Sequence, residues 1–291
     1  MNHRKTALSA GLYLVATPIG TARDITLRAL DVLASCDLIA AEDTRTLRRL
    51  LEIHGVPLEG RRVVAFHDHS SDGKVERLVA RMAEGASVAC VSEAGSPLIA
   101  DPGFELARAA RAAGVPVTAV PGPSAVVTAL SVAGLPTDRF LFCGFLPAAA
   151  AARRADLTSL REVPATLAFY ESPKRIREML GDACETLGKD RRAAVCRELT
   201  KKFEEVREGT LEELATAFDG PAPKGEIVVL IDRAAPAQVE EDDVAAALRQ
   251  ALATMRVKDA VAAVSGALDL PRRQVYQAAL ALKDETDDDD P

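Results

Sequence analysis

The sequence predicts an α/β protein of two successive α/β domains followed by a small all-helical module, on three observations. Short apolar runs bounded by turn residues alternate with helix-period segments from Gly11 to Ile231. Gly134-Leu-Pro136 interrupts that alternation near its middle. Beyond Asp232 the composition changes, and Pro236 with the acidic Glu240-Glu-Asp-Asp243 leads into three helical patterns. A chain of 291 residues is long enough for about two domains of roughly 150 residues each. The expected boundaries are 1–121 and 122–234 for the α/β domains, 240–283 for the helical module and 284–291 for an acidic, disordered tail.

Taken in order, residues 11–16 read as a buried strand, and residues 26–36 as a helix with Leu27, Leu30, Leu33 and Ala34 on one face. Strands are expected at 38–41, 63–66, 88–91 and 117–120, and helices at 44–53, 74–84, 104–113 and 124–133. Parallel layering is the economical arrangement of such an alternation. In the second domain strands are expected at 139–145, 165–170, 193–197 and 226–231, around helices at 174–187 and 211–218. Ser172-Pro173 reads as an N-cap followed by proline in the first helical position. Residues 148–152, all Ala, with Arg153 and Arg154 read as a low-complexity loop or helix start. The module's helices are expected at 244–253, 257–268 and 272–282, the last two resembling a helix-turn-helix. Lys258, Arg272 and Arg273 on that pair suit a solvated face and an RNA contact equally.

Hydrophobic residues make up 48% of the chain and aromatic ones 4%, which describes an Ala/Val/Leu-built globular protein and excludes a disordered one. No apolar run approaches the roughly 18 residues of a membrane span and the first residues lack a signal-peptide core, so cytoplasmic residence is expected. The five cysteines are scattered and never form Cys-x-x-Cys, which favours free buried thiols. The net charge of −7 falls to −1 without the six carboxylates among residues 284–290, so the body does not exclude an RNA partner.

Two Gly/Pro-rich turns stand directly after apolar runs: Ser92-Glu-Ala-Gly-Ser-Pro-Leu-Ile-Ala-Asp-Pro-Gly103 after 87–91, and Pro121-Gly-Pro-Ser-Ala125 after 115–120. In open α/β sheets the carboxyl ends of the strands form the ligand crevice, and glycine there lets backbone approach the ligand. Ser124 also suits a helix cap. Neither Gly-x-Gly-x-x-Gly nor a Walker lysine motif occurs, which weakens Rossmann-cofactor and nucleotide-hydrolysis assignments. His67-Asp-His69 invites a metal, but with no further His nearby except His54 and no Cys at ligand spacing none is expected.

Seven segments in order carry a family likeness: Gly11-Leu-Tyr-Leu-Val-Ala-Thr-Pro-Ile-Gly20 with residues 24–30, Ala41-Glu-Asp-Thr-Arg45, the 92–103 loop, Pro121 to Ala125, Gly144-Phe-Leu-Pro147, Phe169-Tyr-Glu-Ser-Pro-Lys-Arg175 and Arg197-Glu-Leu-Thr-Lys201. Together they resemble the ribosomal RNA small subunit methyltransferase I family of the tetrapyrrole methylase superfamily, from about residue 11 to 231. The chain departs from the family's pattern at Glu93 and Ser96, where Asp and Thr are common, and at Thr21, where Asn is usual.

The resemblance implies two α/β domains of tetrapyrrole methylase type with the cofactor cleft between them, and an S-adenosylmethionine-dependent enzyme. The implied reaction is methylation of a cytidine ribose 2'-hydroxyl in the decoding region of 16S ribosomal RNA, within the small ribosomal subunit. A homodimer is also implied, with neither membrane nor DNA as partner. The donor-binding candidates are Pro18, Gly95, Ser96, Pro97, Leu98, Ile99, Ser124, Ala125, Tyr170 and Glu226. Methyl transfer needs an aligned nucleophilic oxygen that loses a proton. Glu42, Asp43, Glu171 and Glu198 are the candidate acceptors of that proton, and each taken singly suits a helix cap or salt bridge as well. The candidate phosphate contacts are Arg23, Arg45, Lys174, Arg175, Arg197, Lys201 and Lys202. Two competitors remain at this level: a methyltransferase of the same fold acting on a tetrapyrrole or other small molecule, and a non-catalytic ribosome-assembly factor that binds RNA.

Overall fold

A computed structural model describes residues 3–67, 72–101, 103–234, 241–268 and 270–287. The chain divides into two compact units, Met1–Ala234 and Ala235–Pro291.

The first unit contains two five-stranded sheets. The first sheet comprises β1 (Gly11–Val15), β2 (Leu38–Ala41), β3 (Arg62–Ala65), β4 (Ser87–Val91) and β5 (Val117–Val120), in the order β3-β2-β4-β1-β5. Every pairing in it is parallel. Helices α1 (Leu27–Ser35) and α2 (Thr44–Ile53) pack Leu30, Leu33, Leu47 and Leu51 with Val15, Ile39 and Val91. Helices α3 (Asp72–Ala83) and α4 (Phe104–Ala112) pack Leu78, Met82, Leu106 and Ala110 with Leu12, Val88 and Cys90. Side chains alternate along a strand, so these two clusters are opposite faces of one doubly wound sheet. α1 follows β1 onto one face while α4 follows the adjacent β4 onto the other. The crevice between the tips of β1 and β4 is therefore the topological switch point, where such sheets bind ligands.

The second sheet comprises β6 (Phe140–Phe145), β7 (Thr166–Glu171), β8 (Arg192–Arg197), β9 (Glu205–Thr210) and β10 (Ile227–Ile231), in the order β6-β7-β10-β8-β9. It is mixed: β6 and β7 are parallel, and the other pairings antiparallel. One face packs on α6 (Ala150–Ser159), α7 (Ile176–Leu187) and α8 (Leu211–Ala217) through Leu157, Met179, Leu180 and Leu214. The other face is covered by α5 (Ala125–Val132), whose Val126, Ala129 and Leu130 meet Ala168, Ala194, Val228 and Leu230. Helix α5 follows β5 yet packs on the second sheet, which sets that sheet's face beside the strand tips of the first.

Several expectations are corrected. Helix α7 begins at Ile176 with Arg175 as N-cap, so Ser172 is not its cap; the Ser172 carbonyl instead accepts from the Arg175 and Ile176 N–H groups. Of the two readings left open for the 148–154 segment the helix start holds: it enters a regular helix, α6, in which Arg153 is buried at 3% exposure against Asp182, with Nε donating at 2.6 Å. Strand β9 appears where no strand was expected. Three of the five free cysteines are buried, Cys36, Cys90 and Cys196, while Cys143 and Cys184 are half-buried.

The second unit consists of α9 (Glu241–Leu252), α10 (Val257–Leu268) and α11 (Arg272–Asp287), around Val244, Leu248, Val261, Val264, Val275 and Ala279. Helix α11 extends through Asp287, so residues 284–287 of the expected disordered tail are helical; 288–291 lie outside the described residues. Among the described residues no helix is long and apolar enough to cross a membrane.

Candidate active site

A cavity of about 430 Å³ opens where the strand tips of the first sheet face β7, β8 and β10 of the second. The loop after β4 is fixed by backbone bonds in both directions between Thr17 and Gly95, at 2.9 and 3.1 Å. Gly95 has φ +82, a conformation open to glycine at little strain. The Ser92 hydroxyl donates to the Gly95 carbonyl at 2.9 Å, and the Ser96 hydroxyl to the Pro123 carbonyl at 3.1 Å. The Pro-Gly turns after β4 and β5 are thus stapled to each other at the switch point. Leu98 and Ala100 also hold positive φ, 72 and 59, as do Glu198 and Thr200, 51 and 64. Each such non-glycine residue costs about 1–2 kcal/mol, and all four lie in loops that contribute cavity walls.

Of the ten donor-binding candidates, seven line the cavity: Gly95, Ser96, Ile99, Ser124, Ala125, Tyr170 and Glu226. Pro18, Pro97 and Leu98 do not; Leu98 turns back onto the core beneath β4. Ser124 is the N-cap residue of α5 by position, but its side chain makes no capping bond. Ile19, Glu93, Asp101, Phe145, Cys196 and Leu199 line the cavity without having been singled out for it. Glu93, Asp101, Glu171 and Glu226 are among the lining residues and, among the described residues, no Lys, Arg or His is. Glu226 pairs with Lys201 at 2.9 Å, and Glu171, paired with Ile227, has its side chain on the α6–α8 face of β7. Burial, then Glu42, Asp43 and Glu226, hold the Glu93 carboxyl above the usual carboxylate range. Burial, then Asp101, push the Tyr170 phenol up to about 12, so it stays protonated.

The four candidate proton acceptors separate clearly. Asp43 caps α2, accepting from the Arg45 and Thr46 N–H groups at 2.7 and 3.2 Å, which lowers its pKa. Glu198 accepts from Lys201 Nζ at 2.9 Å and the Glu226 N–H at 3.1 Å, and the Lys201 bond holds its pKa down. Glu42 accepts from the Glu93 N–H at 3.0 Å. None of these three lines the cavity. Glu171 does: its side chain is 1% exposed, Oε1 accepts from the Ser172 N–H at 2.7 Å, and Oε2 is buried with no partner. Burial pushes its pKa up, against the opposing Ser172 bond and the Arg175 charge.

The expected phosphate contacts also divide. Arg175 donates to the carbonyls of Leu146 and Pro147 at 2.6 and 3.0 Å, and so holds the loop after β6. Arg197 pairs with Glu205 at 2.8 Å, and Lys201 with Glu198 and Glu226 at 2.9 Å each. Arg45 stands 3.8 Å from Asp43 and is almost fully exposed. Arg23, Lys174 and Lys202 are exposed and, among the described residues, within 4.0 Å of no carboxylate. The His54 ring bonds the Ala22 carbonyl at 2.9 Å; Asp68 and His69 lie outside the described residues.

A ligand crevice at a switch point, shared by a doubly wound lobe and a mixed lobe, defines the class. Residues 11–215 match the Tetrapyrrole (Corrin/Porphyrin) Methylases, and the chain belongs to that family. Residues 238–283 match the RsmI C-terminal HTH domain. The chain is 44% identical over 284 residues to Ribosomal RNA small subunit methyltransferase I of Mesorhizobium japonicum, covering 97% of this chain and 96% of that one. It is 47% identical over 271 residues to the protein of that name from Xylella fastidiosa, covering 91% and 97%. Among solved structures, uroporphyrin-III-C-methyltransferase from Thermus thermophilus superposes with TM-score 0.54 at 25% identity, over 76% of this chain and 94% of that one. Diphthine synthase superposes with TM-score 0.60 at 18% identity, over 76% and 89%, a likeness of fold alone.

Proposed function

We propose that this protein uses S-adenosylmethionine to methylate the ribose 2'-hydroxyl of a cytidine in the decoding region of 16S ribosomal RNA, in the small ribosomal subunit. The observation that carries this is a likeness running through both sheets and the helical module to proteins named for that RNA. The cavity's chemistry supports the donor. Its volume falls in the roughly 300–1,000 Å³ range of small-ligand sites. Acidic residues in its wall, Glu93, Asp101 and Glu226, suit a ligand that carries both a sulfonium and an ammonium group.

When bound, S-adenosylmethionine supplies a methyl group on a positively charged sulfur that departs as a neutral thioether. The protein's own residues do the rest. Gly95 and the stapled Pro-Gly turns offer backbone groups, while Ile19, Ile99, Leu199 and Val228 wall the cavity with apolar surface that excludes water. Of the four candidate acceptors Glu171 alone belongs to the cavity wall, and it takes the ribose hydroxyl proton as the oxygen–carbon bond forms. Arg23, Lys174 and Lys202 meet RNA phosphates. The protein acts as a homodimer, for which α5 and β6 supply exposed apolar surface at Val127, Val132 and Phe140 beside a groove of about 470 Å³. Cytoplasmic residence follows from the ribosomal substrate.

Ribose-methylation mapping of 16S RNA from cells with and without this protein tests the assignment. One 2'-O-methylcytidine in the decoding region should disappear; an unchanged map overturns it, and turnover of a free tetrapyrrole would replace it. Sedimentation should give a dimer, and a monomer at all concentrations removes that part alone.

A further inference from the structure

Phe145 breaks the side-chain alternation of its strand. It is 56% exposed although it ends a strand, and it lines the cavity. Its direction is set by an irregularity. Phe142 pairs with Ala168, but the next paired residue on β6 is Gly144, opposite Phe169, and Phe145 pairs with Tyr170. One residue, Cys143, is thus extra, and the strand bulges there. Side chains of paired residues share a face. Ala168 and Tyr170 belong to the face covered by α5, whereas Phe169 and Cys143 belong to the opposite core. Without the bulge, Phe145 would share the face of Cys143 and be directed away from the cavity; the bulge flips it to the side of Tyr170. Gly144 makes this possible with φ +66. A Cβ at Gly144 would meet nothing within 4 Å, so glycine is there for its conformation and not for space.

The ring has support on one side. Tyr170 stands edge-to-face with Phe145 at 5.6 Å between centroids, and Phe142 likewise with Tyr170 at 5.0 Å. This is a braced aromatic shelf with more than half of its outer residue accessible. A bulge and an exposed Phe each go against stability, and a broken local rule beside a ligand cavity marks function.

We propose that Phe145 is the platform on which the base of the acceptor nucleotide stacks. The inference rests on the RNA reading above and deepens it. Phe145 is in register with Tyr170 and both line the cavity, so an acceptor ribose that enters the cavity brings its base to the accessible side of the Phe145 ring. Single-stranded and splayed nucleotides are commonly held by such stacking, which tolerates any base. The other nucleobase with access is the donor's adenine, and the experiment separates the two.

Phe145→Ala, Phe145→Leu and Phe145→Tyr are compared with the unaltered full chain, using small subunits from cells lacking the protein as acceptor and calorimetry for donor affinity. Phe145→Ala should raise KM for the subunit roughly 5- to 150-fold, the span of one lost base stack. Phe145→Leu, which keeps apolar bulk, should share the loss, and Phe145→Tyr should restore it, with donor affinity within twofold throughout. A matching loss of donor affinity would reassign the ring to adenine and overturn the proposal, as would an unchanged KM. Rescue by leucine would show that only packing matters, again overturning it. If the unaltered protein methylates no subunit, the RNA reading fails first and separately.

Discussion

Among the described carboxylates, only Glu171 keeps a buried oxygen with no hydrogen-bond donor. An ionised group so placed disfavours the folded state, which is why burial raises its pKa. The sign for stability follows: with the folded pKa above the unfolded one, this group's contribution worsens as pH rises through that interval. Glu171→Gln should therefore leave the thermal midpoint unchanged or higher at pH 8. Its effect on turnover should be opposite, because a proton acceptor works only when ionised. The wild-type kcat should rise with pH through the elevated Glu171 pKa and then level off. In Glu171→Gln that acid limb should vanish and kcat fall by about 10²–10⁴-fold. A pH–rate profile of the variant that retains the limb would assign the proton to another group.

At the scale of elements, α6 is held by charge as much as by apolar packing. Arg153 is 3% exposed, pairs with Asp182 at 2.6 Å, stands 3.5 Å from Glu178 and donates to the Ala148 carbonyl at 3.1 Å. Arg154 pairs with the other Asp182 oxygen at 3.0 Å. Removing one partner of a buried pair strands the other in low dielectric, at a cost of about 3–5 kcal/mol. Asp182→Ala should lower the thermal midpoint by roughly 6–20 °C in a calorimetric scan. A change under 2 °C would mean that water reaches Arg153. The same pair shows why α6 was not fully legible in the sequence: residues 148–152 carry no periodicity, and Arg153 finds its partner 29 residues away. Strand β9, Glu205-Val-Arg-Glu-Gly-Thr210, was missed because an edge strand paired only with β8 tolerates charges that mask alternation. The strands of the first sheet were legible since both faces are buried and their runs are apolar. In the cavity, Gly95, Ser96 and Ser124 could be placed from their turns. Phe145 could not, because ordinary alternation directs it to the wrong face and the bulge is set by pairing. The Gly144-Phe-Leu-Pro147 segment was the one available signal.

At the scale of the whole molecule, charge is sorted by place. The cavity is lined with carboxylates, and three of the cations expected to meet RNA are already engaged within the fold: Arg175, Arg197 and Lys201. Substituting these would loosen the loop after β6 or the Glu198–Glu226 cluster, and a loss of RNA binding would then report on structure. Arg23, Lys174 and Lys202 are different. Each lies within four residues of a lining residue (Ile19, Pro173 and Leu199), each is exposed, and none has a carboxylate within 4.0 Å among the described residues. On the function proposed above, an RNA drawn to them would keep its phosphates outside a cavity walled in part by Glu93, Asp101 and Glu226. Only the sugar edge and base of one nucleotide then enter without electrostatic penalty. For single strands, the slope of log affinity against log salt is about −0.7 per phosphate neutralised. Replacing all three by Ala should make that slope shallower by about 2, measured by filter binding or anisotropy across a salt series, and leave calorimetric donor affinity unchanged. A slope that does not move would place the RNA on another surface, with the exposed Lys258, Arg272 and Arg273 of the second unit next to be tested. A slope that moves together with donor affinity would mean that the rim and the interior are one electrostatic site.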